Sequence, residues 1–289
     1  MRSFAFSGLI KISIAPLYEQ PNHRAELGSQ AMMGTVVSLL DETAEWFQVG
    51  TPDGYHAWCE KEAIIPLSGL DSHEKRPQLM FTARFGIGFK NEDLTETLTD
   101  LYAGCRLYLL DIIKDKYKAS LPDGQIVYFP VSQAMELNQW RQTRIQNATE
   151  ILKTSRSYLG TSYLWGGTSP VGVDCSGFTK LVYEQHGIGL KRNASQQCLT
   201  GLQVDLSDEF THLQAGDLVF FAKKATGPDR EKITHVGIYI GGLEYIHASA
   251  FVQINSFDPT AKNYHSRAER FVRASRILGQ VGTDGILKL

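Results

Sequence analysis

The chain has 289 residues, of which 43% are hydrophobic and 21% are charged, and its formal net charge at pH 7 is -2. This is the composition of an ordinary globular protein, and the length accommodates more than one domain. The balanced charge and the lack of a basic run give no support for nucleic-acid binding. No apolar stretch reaches the ~20 residues that a membrane-spanning helix needs.

The first residues do not make a conventional signal peptide. Lys11 interrupts the short apolar stretch at 4–10, and no small-residue cleavage site follows it. We therefore expect a cytoplasmic protein, and a periplasmic or secreted one is the alternative if a signal has been removed.

Short runs of alternating apolar and polar residues, separated by turns, fill the first part of the chain. Within residues 1–68 they predict a small all-β barrel, and residues 79–135 repeat the scheme as a second barrel. The polar stretch 69–78, which contains Pro77, is the expected linker between the two. The predicted strands are 9–16, 34–40, 46–50 and 55–60 in the first barrel and 81–85, 106–113, 116–120 and 125–131 in the second.

A third domain is predicted over residues 140–289, and a helix over 137–159 leads into it. The apolar face of that helix contains Ile145, Ala148, Ile151 and Leu152. Further along, residues 218–222 predict a buried strand, and Asp217 before it is expected to stabilise a turn.

Cys175 stands where a loop is predicted to become a helix. The residues at helical spacing are Phe178, Leu181, Val182 and Gln185, with Gly187 as the expected stop. Cys175 would lie in the first turn, where unsatisfied backbone N–H groups and the helix dipole stabilise an anion. We therefore expect a lowered thiol pKa and a nucleophilic sulfur. The alternative is a small buried hydrophobic residue, the usual state of a free cysteine.

Two histidines are predicted to meet on one face of a β-hairpin. Residues 234–240 alternate with period two, and 244–249 return after a glycine-rich turn. If the loop is 241–243, His235 and His247 share a face as diagonal neighbours, about 7–8 Å apart at the backbone. A loop shorter by one residue would place them on opposite faces. A cysteine with a histidine base and a polar orienter is the general arrangement of an activated thiol, and two unrelated histidines are the alternative.

The other cysteines have no predicted chemistry. Cys59 and Cys105 lie in apolar strand-like runs and are expected to fill core space, and Cys198 receives no role. Their irregular spacing does not fit a disulfide framework. No C-x-x-C or H-x-x-x-H spacing indicates a zinc site, and no cofactor is implied.

Six motifs in one order give the chain a resemblance to a known family. They are YLWGG at 163–167, DCSGF at 174–178, RNASQQ at 192–197, GDLVFF at 216–221, HVGIY at 235–239 and IHA at 246–248. Together they resemble the NlpC-type cysteine peptidases, which have a papain-like fold and cut peptidoglycan stem peptides. Residues 25–37, 45–49 and 53–58 resemble a bacterial SH3-like domain. The implied fold class is α+β: a papain-like cysteine peptidase domain preceded by two small all-β SH3-like barrels.

The resemblance also implies roles for individual residues. The implied catalytic triad is Cys175, His235 and His247. The Tyr163 hydroxyl would join the backbone N–H groups of the helix start in an oxyanion hole, or it would be a core aromatic. Ser176 and Ser195 would contact the substrate, and an ordinary loop hydroxyl is the alternative for Ser195.

One subgroup of the family, the γ-D-glutamyl-L-diamino acid endopeptidases, recognises the free amine of an N-terminal L-Ala. By that resemblance Asp174, Tyr55 and Glu26 would bind the amine, with Glu42 and Glu45 as other candidates for the glutamate. A desolvated ammonium needs anionic partners, which supports this set. The alternatives are a helix cap for Asp174, a barrel aromatic for Tyr55 and a solvated surface residue for Glu26.

The resulting prediction is a cysteine peptidase that cuts the γ-D-Glu–diamino acid bond of murein tri- or tetrapeptides. One alternative is an endopeptidase on intact, cross-linked peptidoglycan that uses the SH3-like domains as wall anchors. An alternative of another class is a non-catalytic cell-wall binding protein, which the complete set of cysteine and histidines disfavours.

Overall fold

The computed structural model describes residues 7–67, 73, 75–208, 210–223 and 231–289. The chain divides into two compact units, Met1–Arg144 and Ile145–Leu289. Half of the predicted linker at 69–78 (residues 69–72 and 74) and residues 4–6 of the apolar start at 4–10 lie outside the described residues. Within the described ranges, no helix is both long and apolar enough to cross a membrane.

The first unit is built from two antiparallel sheets of seven strands each. The first sheet contains β1 Ser7–Ile10, β2 Ile14–Tyr18, β3 Leu27–Met32, β4 Val36–Glu42, β5 Trp46–Gly50, β6 His56–Glu60 and β7 Ile64–Leu67. The second contains β8 Gln78–Phe81, β9 Phe85–Phe89, β10 Thr97–Tyr102, β11 Arg106–Ile113, β12 Lys116–Ser120, β13 Ile126–Pro130 and β14 Ala134–Glu136. A 3-10 helix precedes the last strand of each sheet, at Lys61–Ala63 and Val131–Gln133.

The second sheet repeats the first. The strand orders are β3-β2-β6-β5-β4-β1-β7 and β10-β9-β13-β12-β11-β8-β14, so each position differs by seven in strand number. Each sheet encloses its own apolar core, and Cys59 and Cys105 lie in these cores with no exposed surface. Burial raises the pKa of both thiols to about 12, which suits the predicted packing role.

Several predicted strands of this unit have different bounds in the structure. The run 9–16 is two strands, because residues 11–13 form a bend between β1 and β2. The predicted strand 81–85 is wrong: β8 ends at Phe81, β9 begins at Phe85, and the turn lies between them. Strands β3, β9 and β10 were missed because glycine, serine and threonine interrupt their apolar alternation.

The single helix predicted over 137–159 is two helices, α1 Leu137–Thr143 and α2 Ala148–Ser157. Asn147 caps α2 by accepting a hydrogen bond from the Glu150 N–H, so the chain must leave helical geometry just before it. Ile145, predicted on the apolar face, lies in the break and is 53% exposed, whereas Ile151 is fully buried.

The second unit is organised around a six-stranded antiparallel sheet with the order β18-β23-β19-β20-β21-β22. These strands are β18 Leu202–Gln203, β19 Leu218–Lys223, β20 Lys232–Gly241, β21 Glu244–Ser249, β22 Phe251–Ser256 and β23 Phe271–Arg276. Two short sheets pair β15 Thr168–Ser169 with β16 Gly172–Val173, and β17 Ile188–Gly189 with β24 Leu287–Lys288. The remaining helical elements are α3 Cys175–Glu184, α4 Ala194–Gln197 and a 3-10 helix at Ser266–Arg270.

The two faces of this sheet are covered differently. Helix α3 packs on the face formed by Val236, Ile238 and Ile246. The opposite face, which includes His235 and His247, continues into an aromatic cluster. That cluster contains Phe221, Tyr239, Tyr245 and Phe257.

The hairpin between β20 and β21 differs from the prediction in its loop. Gly241 pairs with Glu244, so the loop consists of Gly242 and Leu243 rather than three residues. Both loop residues have positive φ, 60° and 61°, as a type I′ turn requires. A β-bulge between Tyr239 and Gly241 absorbs the extra residue, and Tyr239 pairs with Tyr245 in the predicted register. The expected sharing of one face by the histidines is therefore retained.

Candidate active site

Cys175 is the first residue of helix α3, and its local geometry is tightly determined. Asp174 is the N-cap: its Oδ1 accepts a hydrogen bond of 2.7 Å from the Gly177 N–H. A Cβ added at Gly177 would lie 1.9 Å from the Gly167 carbonyl oxygen, so only glycine allows the strand–turn segment to pass this close. Cys175 itself is partly accessible, and the backbone N–H of Val236 interacts with its sulfur.

The predicted fall in the thiol pKa of Cys175 is wrong. Burial of the sulfur and the neighbouring Asp174 carboxylate raise the pKa to about 11. The N–H groups of Val236 and Ser176 and the charge of Arg192 act in the opposite direction and do not overcome this. The sulfur is therefore a thiol at neutral pH, and its activation depends on a base.

His235 and His247 form a hydrogen-bonded relay that continues to two asparagines. His235 Nε2 and His247 Nδ1 are 2.7 Å apart, and His247 Nε2 lies 2.7 Å from Asn255 Oδ1. Asn255 Nδ2 donates to the backbone carbonyl of Asn263 at 2.9 Å. Because a carbonyl can only accept, it fixes the orientation of the Asn255 amide and leaves Oδ1 as the acceptor toward His247.

The direction of this relay assigns the tautomers. His247 donates from Nε2 to Asn255, so its Nδ1 accepts, and His235 must donate from Nε2. The unprotonated nitrogen of His235 is then Nδ1, the atom required to accept a proton. Burial and the charge of His247 hold the pKa of His235 well below its ordinary value, and burial lowers that of His247 to about 4. Both rings are neutral at pH 7, as the roles predicted for them require.

Asp174 is held in a buried network beside the cysteine. Arg192 is 3% exposed and binds both carboxylate oxygens, at 3.2 Å to Oδ1 and 2.5 Å to Oδ2. The Ser176 hydroxyl donates to Oδ1 at 3.2 Å and accepts from Arg192 at 3.0 Å. The Gly166 N–H donates to Oδ2 at 3.2 Å. Asp174 therefore is a helix cap, as the alternative interpretation held, and it also neutralises a buried guanidinium that sequence reasoning did not assign.

Tyr163 and Ser195 differ in their placement. Burial and the electrostatic influence of the neighbouring Cys175 and Asp174 raise the pKa of the half-buried Tyr163, so its hydroxyl remains a proton donor. The Tyr163 N–H donates to the carbonyl of Ala250 at 2.9 Å, which ties this tyrosine to the end of the histidine hairpin. Ser195 is exposed on the short helix α4, and its carbonyl accepts from the Cys198 thiol at 3.2 Å.

In the first unit, Tyr55 is paired with a glutamate other than the predicted one. Its hydroxyl donates to Glu19 Oε1. Glu26 is exposed, and its backbone carbonyl accepts from the Glu19 N–H at 3.0 Å. Glu42 forms an ion pair of 2.6 Å with Lys61.

The pairing of Tyr55 with Glu19 follows from the pairing of β2 with β6, where Tyr18 faces Trp58. Glu19 comes directly after β2 and Tyr55 directly before β6, 36 positions apart in the chain. No local sequence signal connects two residues across such a separation.

Asp217 has the structural role predicted for it. Its Oδ2 accepts from the Gln214 N–H at 2.8 Å in the turn before β19, and the carboxylate also forms an ion pair with Arg276 at 2.9 Å. Among the described residues no group of three or more His, Cys, Asp or Glu side chains is arranged to hold a metal ion.

Comparison with known proteins agrees with this geometry. Residues 160–273 match the model of the NlpC/P60 family, and residues 17–64 match that of the bacterial dipeptidyl-peptidase Sh3 domain. The chain is 29% identical over 231 residues to a γ-D-glutamyl-L-lysine dipeptidyl-peptidase of Bacillus cereus, covering 77% of this chain and 67% of the relative. It is 26% identical over 272 residues to dipeptidyl-peptidase 6 of Lysinibacillus sphaericus, covering 87% and 92%.

A solved structure supports the same assignment. The crystal structure of an NlpC/P60 family protein from Bacillus cereus superposes with a TM-score of 0.79 at 25% sequence identity, covering 94% of this chain and 99% of that one. The fold and the site thus define a cysteine peptidase of the papain-like class. More particularly, the chain carries an NlpC/P60 domain preceded by a bacterial dipeptidyl-peptidase Sh3 domain within an all-β, SH3-like region.

Proposed function

We propose that this protein hydrolyses the bond between γ-D-Glu and the diamino acid of murein peptides that carry a free N-terminal L-Ala. The observation that carries the proposal is the hydrogen-bonded relay from Asn263 through Asn255 and His247 to His235. The same domain contains helix α3, whose first residue is Cys175. The names of the similar peptidases from Bacillus and Lysinibacillus support the choice of bond.

The mechanism begins with a neutral pair. As Cys175 Sγ attacks the carbonyl carbon of γ-D-Glu, its proton passes to His235 Nδ1, and His247 holds the ring in the tautomer that leaves Nδ1 free to accept it. The N–H groups at the start of α3 and the Tyr163 hydroxyl donate to the developing oxyanion. His235 then returns the proton to the leaving nitrogen of the diamino acid, and a thioester remains on Cys175.

The second half of the reaction uses the same groups. Water attacks the thioester carbonyl while His235 Nδ1 accepts its proton, and the dipeptide L-Ala-γ-D-Glu leaves as Cys175 regains its thiol. The sequence-based prediction assigns the free L-Ala amine to Asp174, Tyr55 and a glutamate. Since Tyr55 donates to Glu19, we favour Glu19 over Glu26 for that role.

A substrate with a free L-Ala amine exists only after the stem peptide has been released from muramic acid. The requirement for a free amine suits an enzyme of peptide recycling or turnover. The cytoplasmic location expected from the sequence stays a prediction. The alternative of an endopeptidase on intact, cross-linked peptidoglycan makes the opposite demand, because stem peptides in the wall have a blocked L-Ala nitrogen.

The proposal is tested by incubating the full chain with L-Ala-γ-D-Glu-L-Lys and with its meso-diaminopimelate counterpart, and identifying the products by mass spectrometry. We expect L-Ala-γ-D-Glu and the free diamino acid from the wild type and none from Cys175→Ala. Cys198→Ala is the matched control and should keep most of the activity, since Cys198 is buried against the core of the second unit. Release of the diamino acid by Cys175→Ala at the wild-type rate would refute the mechanism.

A further inference from the structure

The face of the sheet that holds the histidines also carries a guanidinium that no carboxylate among the described residues neutralises. Arg267 lies on the 3-10 helix Ser266–Arg270, and His265 anchors that helix by accepting from the Arg267 N–H at 3.0 Å. Its Nη2 donates to Ser249 Oγ at 2.9 Å. Ser249 follows His247 by two positions on β21, so both side chains point from the same face.

The rest of the Arg267 side chain has no protein partner among the described residues. Its Nε is buried and makes no hydrogen bond. No carboxylate within the described ranges forms an ion pair with it, in contrast to the buried Arg192, which Asp174 neutralises. A partly buried guanidinium that no carboxylate neutralises is costly, and a carboxylate ligand matches its geometry best.

The position of Arg267 indicates which part of a peptide it meets. Its hydrogen bond to Ser249, two positions after His247 on β21, holds the guanidinium on the histidine side of the site. After burial, its charge is among the causes that lower the pKa of His247. In the proposed mechanism His235 delivers a proton to the leaving nitrogen, so the leaving residue lies against the histidine side of the site. The acyl half of the substrate remains on the cysteine.

We propose that Arg267 binds the α-carboxylate of the leaving diamino acid and thereby favours peptides that end at that residue. In a tripeptide this carboxylate is free, and in a longer stem peptide it is consumed in the next amide bond. Arg267 would be a specificity determinant for chain length on the leaving side. This inference rests on the proposed function, because it presupposes cleavage before the diamino acid.

The test compares kcat/KM for L-Ala-γ-D-Glu-L-Lys with a free C-terminus and for its C-terminal carboxamide, at pH 8 so that His235 is neutral in every variant. We expect the wild type to prefer the free acid by about 10- to 100-fold, the value of a hydrogen bond to a charged group. Arg267→Gln should remove most of that preference, and Arg267→Lys should keep part of it. Arg270→Gln, on the same 3-10 helix but exposed, is the matched control and should leave the preference unchanged.

Three outcomes would overturn the inference. One is equal cleavage of acid and carboxamide by the wild type, which decides the matter even if Arg267→Gln does not fold. Another is an Arg267→Gln variant that folds and retains the full preference. The third concerns a peptide in which D-isoglutamine replaces D-Glu, so that the α-carboxylate of the acyl half becomes a carboxamide. If the wild type cleaves this peptide poorly and Arg267→Gln removes that difference, the arginine binds the acyl half instead. A wild type that cleaves none of these peptides would instead refute the proposed function.

Discussion

One backbone carbonyl decides which nitrogen of His235 can act as the base. The Asn263 carbonyl orients the Asn255 amide, the amide selects the tautomer of His247, and His247 selects that of His235. Substituting Asn255 by Leu removes the acceptor at Oδ1 and leaves His247 free to adopt either tautomer. Each hydrogen bond in the relay fixes the donor and acceptor of the next. A substitution at Asn255, two hydrogen bonds away from His235, therefore alters the proton affinity of His235.

We predict that Asn255→Leu lowers kcat by about 10- to 100-fold, less than the 10²–10⁴-fold that a general base itself contributes. Asn263→Ala is the matched control, because it removes only the side chain and preserves the carbonyl that orients Asn255. Steady-state kinetics on L-Ala-γ-D-Glu-L-Lys, with thermal unfolding to confirm folding, measures both variants. Equal losses in the two variants would contradict the tautomer argument.

The pH dependence of the reaction should follow the neutral state of His235. Burial and the charge of His247 hold the His235 pKa well below its ordinary value, and activity needs the unprotonated ring. The midpoint of the acidic limb of kcat/KM should therefore lie well below pH 6.5, which is about the ordinary pKa of a histidine. Because burial raises the Cys175 pKa to about 11, no thiolate forms near neutral pH to add an alkaline rise there.

Substitution of His247 tests whether this residue lowers the pKa of His235. His247→Gln removes one of the two main causes that lower the His235 pKa, so the pKa should rise. Activity would then be lost at a higher pH as the solution is acidified. The measurement is the pH profile of kcat/KM for both proteins, and an acidic limb that stays in place or moves to lower pH would contradict the assigned causes.

Single residues show what sequence reasoning can reach and what it cannot. Cys175, His235 and His247 could be placed from the sequence because each belongs to a local pattern of helix start or strand alternation, and their catalytic roles stay predictions. Asn255 and Glu19 were not, because their roles depend on the pairing of distant strands. The sign of the Cys175 pKa shift was wrong because the helix-start argument counted the N–H groups and omitted burial and the adjacent carboxylate.

At the scale of elements, the start of helix α3 combines catalysis with stability. Asp174 caps the helix and neutralises the buried Arg192, so its removal affects both. The sequence-based assignment of Asp174 to amine recognition, with a helix cap as the alternative, leaves out this ion pair. An asparagine can still cap the helix, and what it cannot supply is the negative charge.

We predict that Asp174→Asn lowers the stability of the second unit by about 3–5 kcal/mol, the cost of leaving one member of a buried ion pair uncompensated. The double variant Asp174→Asn, Arg192→Met removes the orphan charge and should recover much of that loss without restoring selectivity for a free amine. Urea unfolding of the full chain and cleavage assays separate the two effects. A double variant no more stable than Asp174→Asn would show that the ion pair is not the cause.

Elements also explain the differences between predicted and observed bounds. Helix α3 and strand β21 begin at the predicted residues because a cap and a clear alternation mark them. The break between α1 and α2 was missed because the predicted helix ran through Asn147, which accepts the Glu150 N–H as a cap. The loop of the histidine hairpin was predicted one residue too long, and a bulge that no sequence pattern signals preserved the register.

At the scale of the whole molecule, the repeated seven-stranded sheets and the peptidase unit pose the question of what the SH3-like region contributes. The SH3-like region could anchor the enzyme to the wall or take part in substrate recognition, and these two roles require different properties of its residues. Anchoring needs a surface that binds polymer and is indifferent to the peptide terminus. Recognition of an amine needs groups that lose a partner when that amine is blocked.

Tyr55 and Glu19 allow the two interpretations to be separated, because they form one hydrogen-bonded pair in the first sheet. If they recognise the L-Ala amine, the wild type should cleave free L-Ala-γ-D-Glu-L-Lys faster than its N-acetylated form by roughly 10²-fold or more, since a site built for a donor rejects its blocked analogue. Glu19→Gln should lose most of this preference, and Tyr55→Phe should reduce it more mildly.

Glu26→Gln is the matched control, since Glu26 is an exposed carboxylate directly before β3 of the same domain. The measurement is the ratio of kcat/KM for free and acetylated peptide in each variant. A loss confined to Glu26→Gln would return the role to the glutamate first predicted. Equal cleavage of free and acetylated peptides by the wild type would contradict amine recognition, and would favour an endopeptidase on the intact wall, with the SH3-like region as its anchor.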